Sequence, residues 1–156
     1  MFFCVLYKYI GYISNVEDLR NIYEYYKGRN LVMKSLGNLL QSGDWKGEKH
    51  VPVIHIDDTI KSGELTELKV SIGDEIAHPN TLEHHIKWFK IFFKPEDGKF
   101  PIEIYTSTFD AHGESDVFDE PEVTTCFKTN KSGTIHVMSY CNIHGLWENS
   151  KDITVE

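Results

Sequence analysis

A chain of 156 residues with 24 acidic and 16 basic side chains carries a formal net charge of −8. This length suits one ordinary domain with a short extension, and 40% apolar residues are enough for one packed core. The acidic balance argues against nucleic acid as a partner, because binding to phosphates needs a basic surface.

The cysteines indicate a reducing compartment, and the hydropathy pattern argues against a membrane-spanning helix. Cys4, Cys126 and Cys141 form an odd and sparse set, which does not fit a disulfide framework and favours the cytoplasm. No apolar run reaches the roughly 20 residues that a membrane-spanning helix needs. The opening MFFCVLYKYIGYI is short, contains Lys8 and lacks the basic start of a signal peptide.

Residues 1–37 are predicted to form an N-terminal extension of the domain at 38–156. The sequence Ser14-Asn15-Val16-Glu17 matches a capping box, and apolar side chains then recur at helical spacing until Gly28. We expect one short helix there. Met33 begins a stretch that is typical of a natural N-terminus, so we hypothesise that translation starts at this residue. The intact mass of the natively expressed protein tests that hypothesis.

From residue 50 onward the apolar pattern has a period of two, which is typical of half-buried strands. Leu68, Val70 and Ile72, for example, alternate with polar residues. About seven strands are predicted, at 51–57, 68–72, 85–93, 101–109, 123–129, 134–141 and 152–156. The turn at 130–133 predicts a hairpin of the strands that flank it, and 152–156 is expected at a sheet edge. This pattern indicates an all-β, antiparallel sandwich.

Four of the eight histidines lie at predicted strand ends and in loops, where rigid scaffolds usually present ligands: His50, His78, His84 and His144. Cys141 and His144 form a C-x-x-H motif, which allows a thiolate and an imidazole to reach one metal ion. Such donors suit iron, copper or zinc, whereas calcium and magnesium prefer oxygen. Each motif alone is a weak signal, and hydrogen-bonded structural histidines remain the alternative.

The number of donors separates the candidate metals. Structural zinc is complete with four ligands, and type-one copper adds a weak axial methionine that residues 145–149 lack. Four imidazoles and one thiolate would leave one position of an octahedral iron ion open. A small oxygen species could bind there.

Four segments together resemble the superoxide reductases, also called neelaredoxins, and the related iron domain of desulfoferrodoxin. They are GDWKGEKHVPVI (43–54), HPNTLEHHI (78–86), AHGES (111–115) and SYCNIHGLWEN (139–149). The resemblance covers roughly residues 40–156, and the combination of motifs is specific. It implies an immunoglobulin-like sandwich that reduces superoxide to hydrogen peroxide at one iron ion. The implied ligands are four equatorial imidazoles and an axial thiolate, from His50, His78, His84, His144 and Cys141.

The resemblance also implies roles for two residues beside the first ligand. Glu48 would occupy the sixth position of resting ferric iron, and Lys49 would lie beside that position and attract superoxide. Members of the family often form homotetramers and receive electrons from rubredoxin. Desulfoferrodoxin binds a second iron ion through four cysteines, but residues 1–49 contain only Cys4, so this chain matches the one-iron class.

The other histidines are expected to serve the fold: His55, His85, His112 and His136. The three tryptophans are expected in core or rim packing, with Trp147 close to the metal. Two other functions are considered, a copper electron-transfer protein on a similar sandwich and a metal-stabilised binding module without turnover. Metal analysis distinguishes the copper protein from a superoxide reductase. Rapid mixing of the reduced protein with superoxide distinguishes the binding module from the enzyme.

Overall fold

The computed structural model describes Glu17 and residues 35–156, and it divides the chain into compact units at 1–38 and 39–156. Glu17 is helical, but the rest of the helix predicted between Ser14 and Gly28 lies outside the described residues, as does Met33. A short 3₁₀ helix spans Leu36–Leu39. Within the described part of the chain, no helix is long and apolar enough to cross a membrane.

The unit at 39–156 contains two β-sheets, and the predicted all-β sandwich is confirmed. Its eight strands are β1 (Val53–His55), β2 (Thr59–Ile60), β3 (Thr66–Ser71), β4 (Ile86–Pro95), β5 (Ile102–Thr108), β6 (Glu122–Phe127), β7 (Gly133–Cys141) and β8 (Gly145–Val155). One sheet has the order β1-β3-β6, and the other has the order β2-β8-β7-β4-β5. Neighbouring strands are antiparallel except β2 and β8, which are parallel.

The core consists of the inward-facing residues of both sheets, as the period of two requires. In β7 the buried positions alternate with half-buried ones, so Ile135, Val137 and finally Cys141 point inward. Leu68 and Val70 of β3 belong to the same buried cluster. The alternation that builds the core therefore also places the Cys141 thiol inside the sandwich, at the very end of a strand.

Two predictions about strand placement are wrong: the hairpin at 130–133 and the edge position of 152–156. The turn at 130–133 does not join a hairpin, because β6 pairs with β3 while β7 pairs with β4 and β8, so the chain crosses between sheets there. Gly133 is the first residue of β7, where a Cβ atom would collide with the Lys94 carbonyl oxygen. Close strand packing, and not a tight turn, thus requires this glycine. Residues 152–155 are not at an edge, since they pair with β7 on one side and β2 on the other.

Candidate metal centre

Three separate segments carry the predicted ligands. His50 lies just before β1, and His78 and His84 lie in the connection between β3 and β4. Cys141 ends β7, and His144 lies in the short turn to β8. The two sheets and their connections hold these segments at one end of β7.

The four imidazole rings lie close together in a near-square arrangement. Centroid distances along the sides are 4.8 Å from His50 to His78, 4.7 Å from His78 to His84, 4.8 Å from His84 to His144 and 4.5 Å from His144 to His50. The diagonal from His50 to His84 is longer, at 6.1 Å. Neighbouring rings meet edge to face, with interplanar angles between 64° and 79°.

The thiol of Cys141 belongs to the same cluster. Potential ligand atoms of His50, His84, Cys141 and His144 all lie within 4.8 Å of one another. Cys141 is fully buried, and its Sγ lies 3.6 Å from His144 Nδ1. The backbone N–H of His144 donates to this sulfur at 3.5 Å, which is a contact that stabilises a thiolate. His78 is not in this group of mutually close donor atoms, but its ring contacts those of His50 and His84, so the five predicted ligand side chains lie next to one another.

Two buried nitrogen atoms test whether these residues fit a metal ion. Nε2 of His78 and Nε2 of His84 are buried and have no hydrogen-bond partner among the described residues, a condition they share with Nε2 of His85 and Nε1 of Trp147, which are not proposed ligands. His78 Nδ1 lies 2.7 Å from the Pro79 carbonyl oxygen, to which it donates, so its Nε2 carries a lone pair. Buried polar atoms are rarely left unpaired. Imidazole and thiolate donors with unpaired, converging nitrogens fit a transition-metal ion.

The protonation of the histidines also fits metal binding. Burial lowers the pKa of His78 to about 4. Burial is also the main cause that lowers the pKa of His50 and of His84. Because imidazole binds metal ions in its neutral form, these rings are already in the ligand state near neutral pH.

Glu48 and Lys49 flank the cluster. Glu48 Oε1 lies 2.5 Å from His50 Nδ1 and accepts a hydrogen bond from the His50 backbone N–H at 3.2 Å. The hydrogen bond to His50 is the main cause that lowers the pKa of Glu48. After burial, the positive charge of Lys49 is among the causes that lower the pKa of His78 and of His84. Lys49 is the residue immediately before His50, so its charge belongs to the segment that carries the first ligand.

Gln41 is a supporting residue to which the sequence assigned no role. Its side-chain Nε2 donates to the His144 carbonyl oxygen at 2.7 Å. Its backbone N–H donates to Leu146, and its carbonyl accepts from Glu148. No sequence signal identifies this residue, because its partner His144 is 103 positions away.

Trp147 packs directly against a predicted ligand. Its ring stacks on His50 with a centroid distance of 4.9 Å and an interplanar angle of 15°, and the residue is only 9% exposed. The C-x-x-H-x-x-W spacing marks this tryptophan as close to the centre. The stack holds the His50 ring and covers one side of it.

The remaining histidines lie outside the ligand cluster of the described residues. His55 contacts Ser71 Oγ and Asp74 Oδ2 at 2.9 and 3.0 Å. His85 and His112 are buried and stack on each other at 3.6 Å. His136 is a paired residue within β7.

Comparison with known proteins gives consistent matches. The sequence matches the desulfoferrodoxin family over residues 42–150. It is 53% identical over 114 residues to a superoxide reductase of Pyrococcus abyssi, covering 73% of this chain and 95% of that protein. It is 44% identical over 126 residues to neelaredoxin of Megalodesulfovibrio gigas, covering 76% and 97%. The structure of the reduced superoxide reductase (neelaredoxin) of Archaeoglobus fulgidus superposes with a TM-score of 0.70 at 46% identity, covering 74% and 98%.

Proposed function

The chain belongs to the desulfoferrodoxin family of superoxide reductases, and we propose that it reduces superoxide to hydrogen peroxide at one iron ion. The proposed ligands are His50, His78, His84, His144 and Cys141. The observation that carries this proposal is the convergence of four imidazoles and a buried thiol, with two buried imidazole nitrogens otherwise unpartnered. Iron held there would supply one electron to superoxide by cycling between Fe²⁺ and Fe³⁺.

The protein's own groups would prepare the site for a small anion. The stack of Trp147 on His50 and the burial of Cys141 keep water away from one side of the cluster. Glu48 is the proposed further ligand of the resting oxidised centre, although its carboxylate here contacts Nδ1 of His50, the ring edge opposite the Nε2 that faces His144. Its carboxylate would close the open position of a bound ion when no superoxide is present.

Lys49 is the proposed electrostatic guide for superoxide. The chain has a net charge of −8, which repels an anion at long range, so a local positive charge is needed near the entrance. Lys49 directly precedes the proposed ligand His50, and its charge is one of the smaller causes that lower the pKa of His78 and of His84. It can hold the anion or orient a water molecule that delivers a proton.

Replacing Lys49 by alanine tests this role. We expect the second-order rate of superoxide reduction to fall about tenfold or more at low salt, with an unchanged optical spectrum of the iron. Lys131→Ala is the matched control, because it removes the same charge from an exposed pair with Asp97 and should leave the rate unaltered. An unchanged rate in Lys49→Ala would remove Lys49 from the mechanism.

The electrons are proposed to come from a rubredoxin-like protein. Such a donor is needed because the sequence carries no second redox-cofactor motif. Reduction of the ferric chain by rubredoxin, followed optically in stopped flow, tests the donor. If rubredoxin reduces the ferric chain no faster than a small dye that has been reduced with dithionite, the proposed donor is contradicted.

The proposed location is the cytoplasm, where rubredoxin-like donors would be available. Cys126 and Cys141 are free cysteines, which supports this location.

Self-association is proposed through the edge strand β5. Among the described residues β5 pairs with β4 alone, and Ile102 and Tyr105 are exposed. The strand contains no lysine or proline, which usually protect such edges, and its Glu103 already pairs with Lys90. Light scattering should detect an oligomer, with a tetramer as the size that the resemblance implies. Tyr105→Lys should shift it towards monomer.

Metal content and an optical spectrum of the oxidised protein test the whole proposal. We expect one iron ion per chain and a sulfur-to-iron charge-transfer band. Rapid mixing of the ferrous protein with superoxide should then give stoichiometric oxidation. Copper in place of iron would favour the electron-transfer alternative, and iron without oxidation by superoxide would refute the reductase.

A further inference from the structure

Asn142 connects two of the segments that carry ligands. Its side-chain Oδ1 accepts from the His85 backbone N–H at 2.9 Å, and its Nδ2 donates to the Glu83 carbonyl oxygen at 2.9 Å. Its own backbone N–H donates to the His85 carbonyl oxygen at 3.1 Å. These three bonds reach the residues immediately before and after His84. The backbone on both sides of this ligand is therefore tied to the neighbour of Cys141.

A stacked pair of buried histidines also bonds to the connection between β3 and β4 that carries His84. His85 and His112 are 7% and 6% exposed, and their rings lie 3.6 Å apart at an interplanar angle of 8°. His85 Nδ1 contacts the Thr81 carbonyl oxygen at 2.8 Å, and His112 Nδ1 contacts Asn80 Oδ1 at 2.8 Å. Both bonds end in the segment between His78 and His84, so the pair fixes the backbone that carries these two ligands.

The parallel stack also shows that His85 and His112 do not share a metal ion, although Nε2 of His85 is itself buried without a hydrogen-bond partner among the described residues. The lone pairs of an imidazole lie in the plane of its ring, so two rings stacked face to face at 3.6 Å cannot both aim at one ion. The pair is thus a packing and hydrogen-bonding element. Its position explains why the AHGES segment, which is far from the other motifs in sequence, belongs to the same site.

We propose that Asn142 and the stacked His85–His112 pair are positioning residues that hold His84 against Cys141 and so set the affinity and the electronic structure of the centre. The inference rests on the proposed iron site. Cys141 is fixed at the end of β7, whereas His84 lies in a connection without regular structure. The angle between these two donors therefore depends on the bonds that Asn142 makes. Residues that orient ligands typically change metal affinity 10–100-fold when they are replaced.

Asn142→Ala is the principal variant, and His112→Phe is the second. His112→Phe keeps an aromatic ring on His85 but removes the bond to Asn80. Asn130→Ala is the matched control, because Asn130 also links two loops, through Ser62 Oγ at 3.1 Å, but precedes the opposite end of β7. The folding stability of each apo protein is measured first, by urea unfolding of a separate sample, so that a loss of stability is distinguished from a loss of metal binding.

The decisive readouts are Co²⁺ affinity, measured by competition with a chelator, and the charge-transfer band of the ferric protein. In Asn142→Ala we expect affinity to fall about 10–100-fold and the band to shift; in His112→Phe we expect a fall of about tenfold. Asn130→Ala should match the wild type. If Asn142→Ala does not fold, His112→Phe decides the question.

The outcomes separate this inference from the proposed function. A wild-type chain that binds iron and reduces superoxide, with folded variants of unaltered affinity and spectrum, would overturn the positioning role alone. A purely structural role would lower the urea midpoint and leave affinity and spectrum unchanged, which also overturns the inference. A wild-type chain without a metal site would overturn both.

Discussion

Replacing Gly73 by alanine should damage the metal centre through the backbone of His78. Gly73 has a φ of +93°, in the left-handed region, and follows β3 at the start of the connection that carries His78. A Cβ atom there would lie 2.9 Å from the His78 backbone nitrogen, whereas ordinary contacts begin near 3.4 Å. The backbone of His78 must therefore move by roughly 0.5 Å, the difference between these two distances.

The expected magnitudes follow from these numbers. The positive φ costs about 1–2 kcal/mol, and the steric contact adds about 1–3 kcal/mol, so folding stability should fall by about 2–5 kcal/mol. Metal–ligand distances are tolerated to within about 0.2 Å. A shift of the His78 backbone larger than this should weaken metal binding by about tenfold or more, as for other losses of ligand orientation.

The assay combines urea unfolding of the apo protein with Co²⁺ affinity from chelator competition. Gly63→Ala is the matched control, because Gly63 also has a positive φ, of +71°, but its Cβ would meet only the side chain of Asn130 at 3.0 Å. This control should lose stability while keeping its metal affinity. Wild-type affinity in a folded Gly73→Ala protein would refute the reasoning, and with it the role of His78 as a ligand.

Three further predictions concern the centre. Cys141→Ser should abolish the sulfur-to-iron charge-transfer band of the oxidised protein, and a band that persists would exclude Cys141 as a ligand. Metal binding should quench tryptophan fluorescence, and most of this effect should disappear in Trp147→Phe because Trp147 stacks on His50; equal quenching in the variant contradicts that assignment. Free metal at about 100 times its Kd should stabilise the apo protein by about 2.7 kcal/mol in urea unfolding, and chelation should reverse this gain.

Prediction from sequence succeeded for the strands whose alternation is set locally. The predicted strands at 85–93, 134–141 and 152–156 coincide with β4, β7 and the second half of β8. They could be predicted because successive residues of a strand in a sandwich point inward and outward in turn. No strand is predicted before residue 152 in this region, whereas β8 begins at Gly145. The two-residue strand β2 is too short to produce a pattern.

Pairing between distant strands could not be predicted in the same way. The turn residues before Gly133 show that the chain reverses there, but the sheet that each flanking strand joins depends on partners far away in sequence. Likewise, the residues that support the centre contact it across long separations. Gln41 and Asn142 meet partners 103 and 57 positions away, which no local pattern records.

The class of fold and the identity of the candidate donors follow from the amino-acid sequence without knowledge of the structure. Alternation of apolar residues depends on the backbone geometry of each strand alone, and imidazole and thiolate chemistry is a property of the side chains. The near-square of four rings beside one buried sulfur, and the neighbours that hold it, are visible only in the folded chain. Those distances arise from packing of the two sheets and from hydrogen bonds between loops, which exist only after the chain has folded.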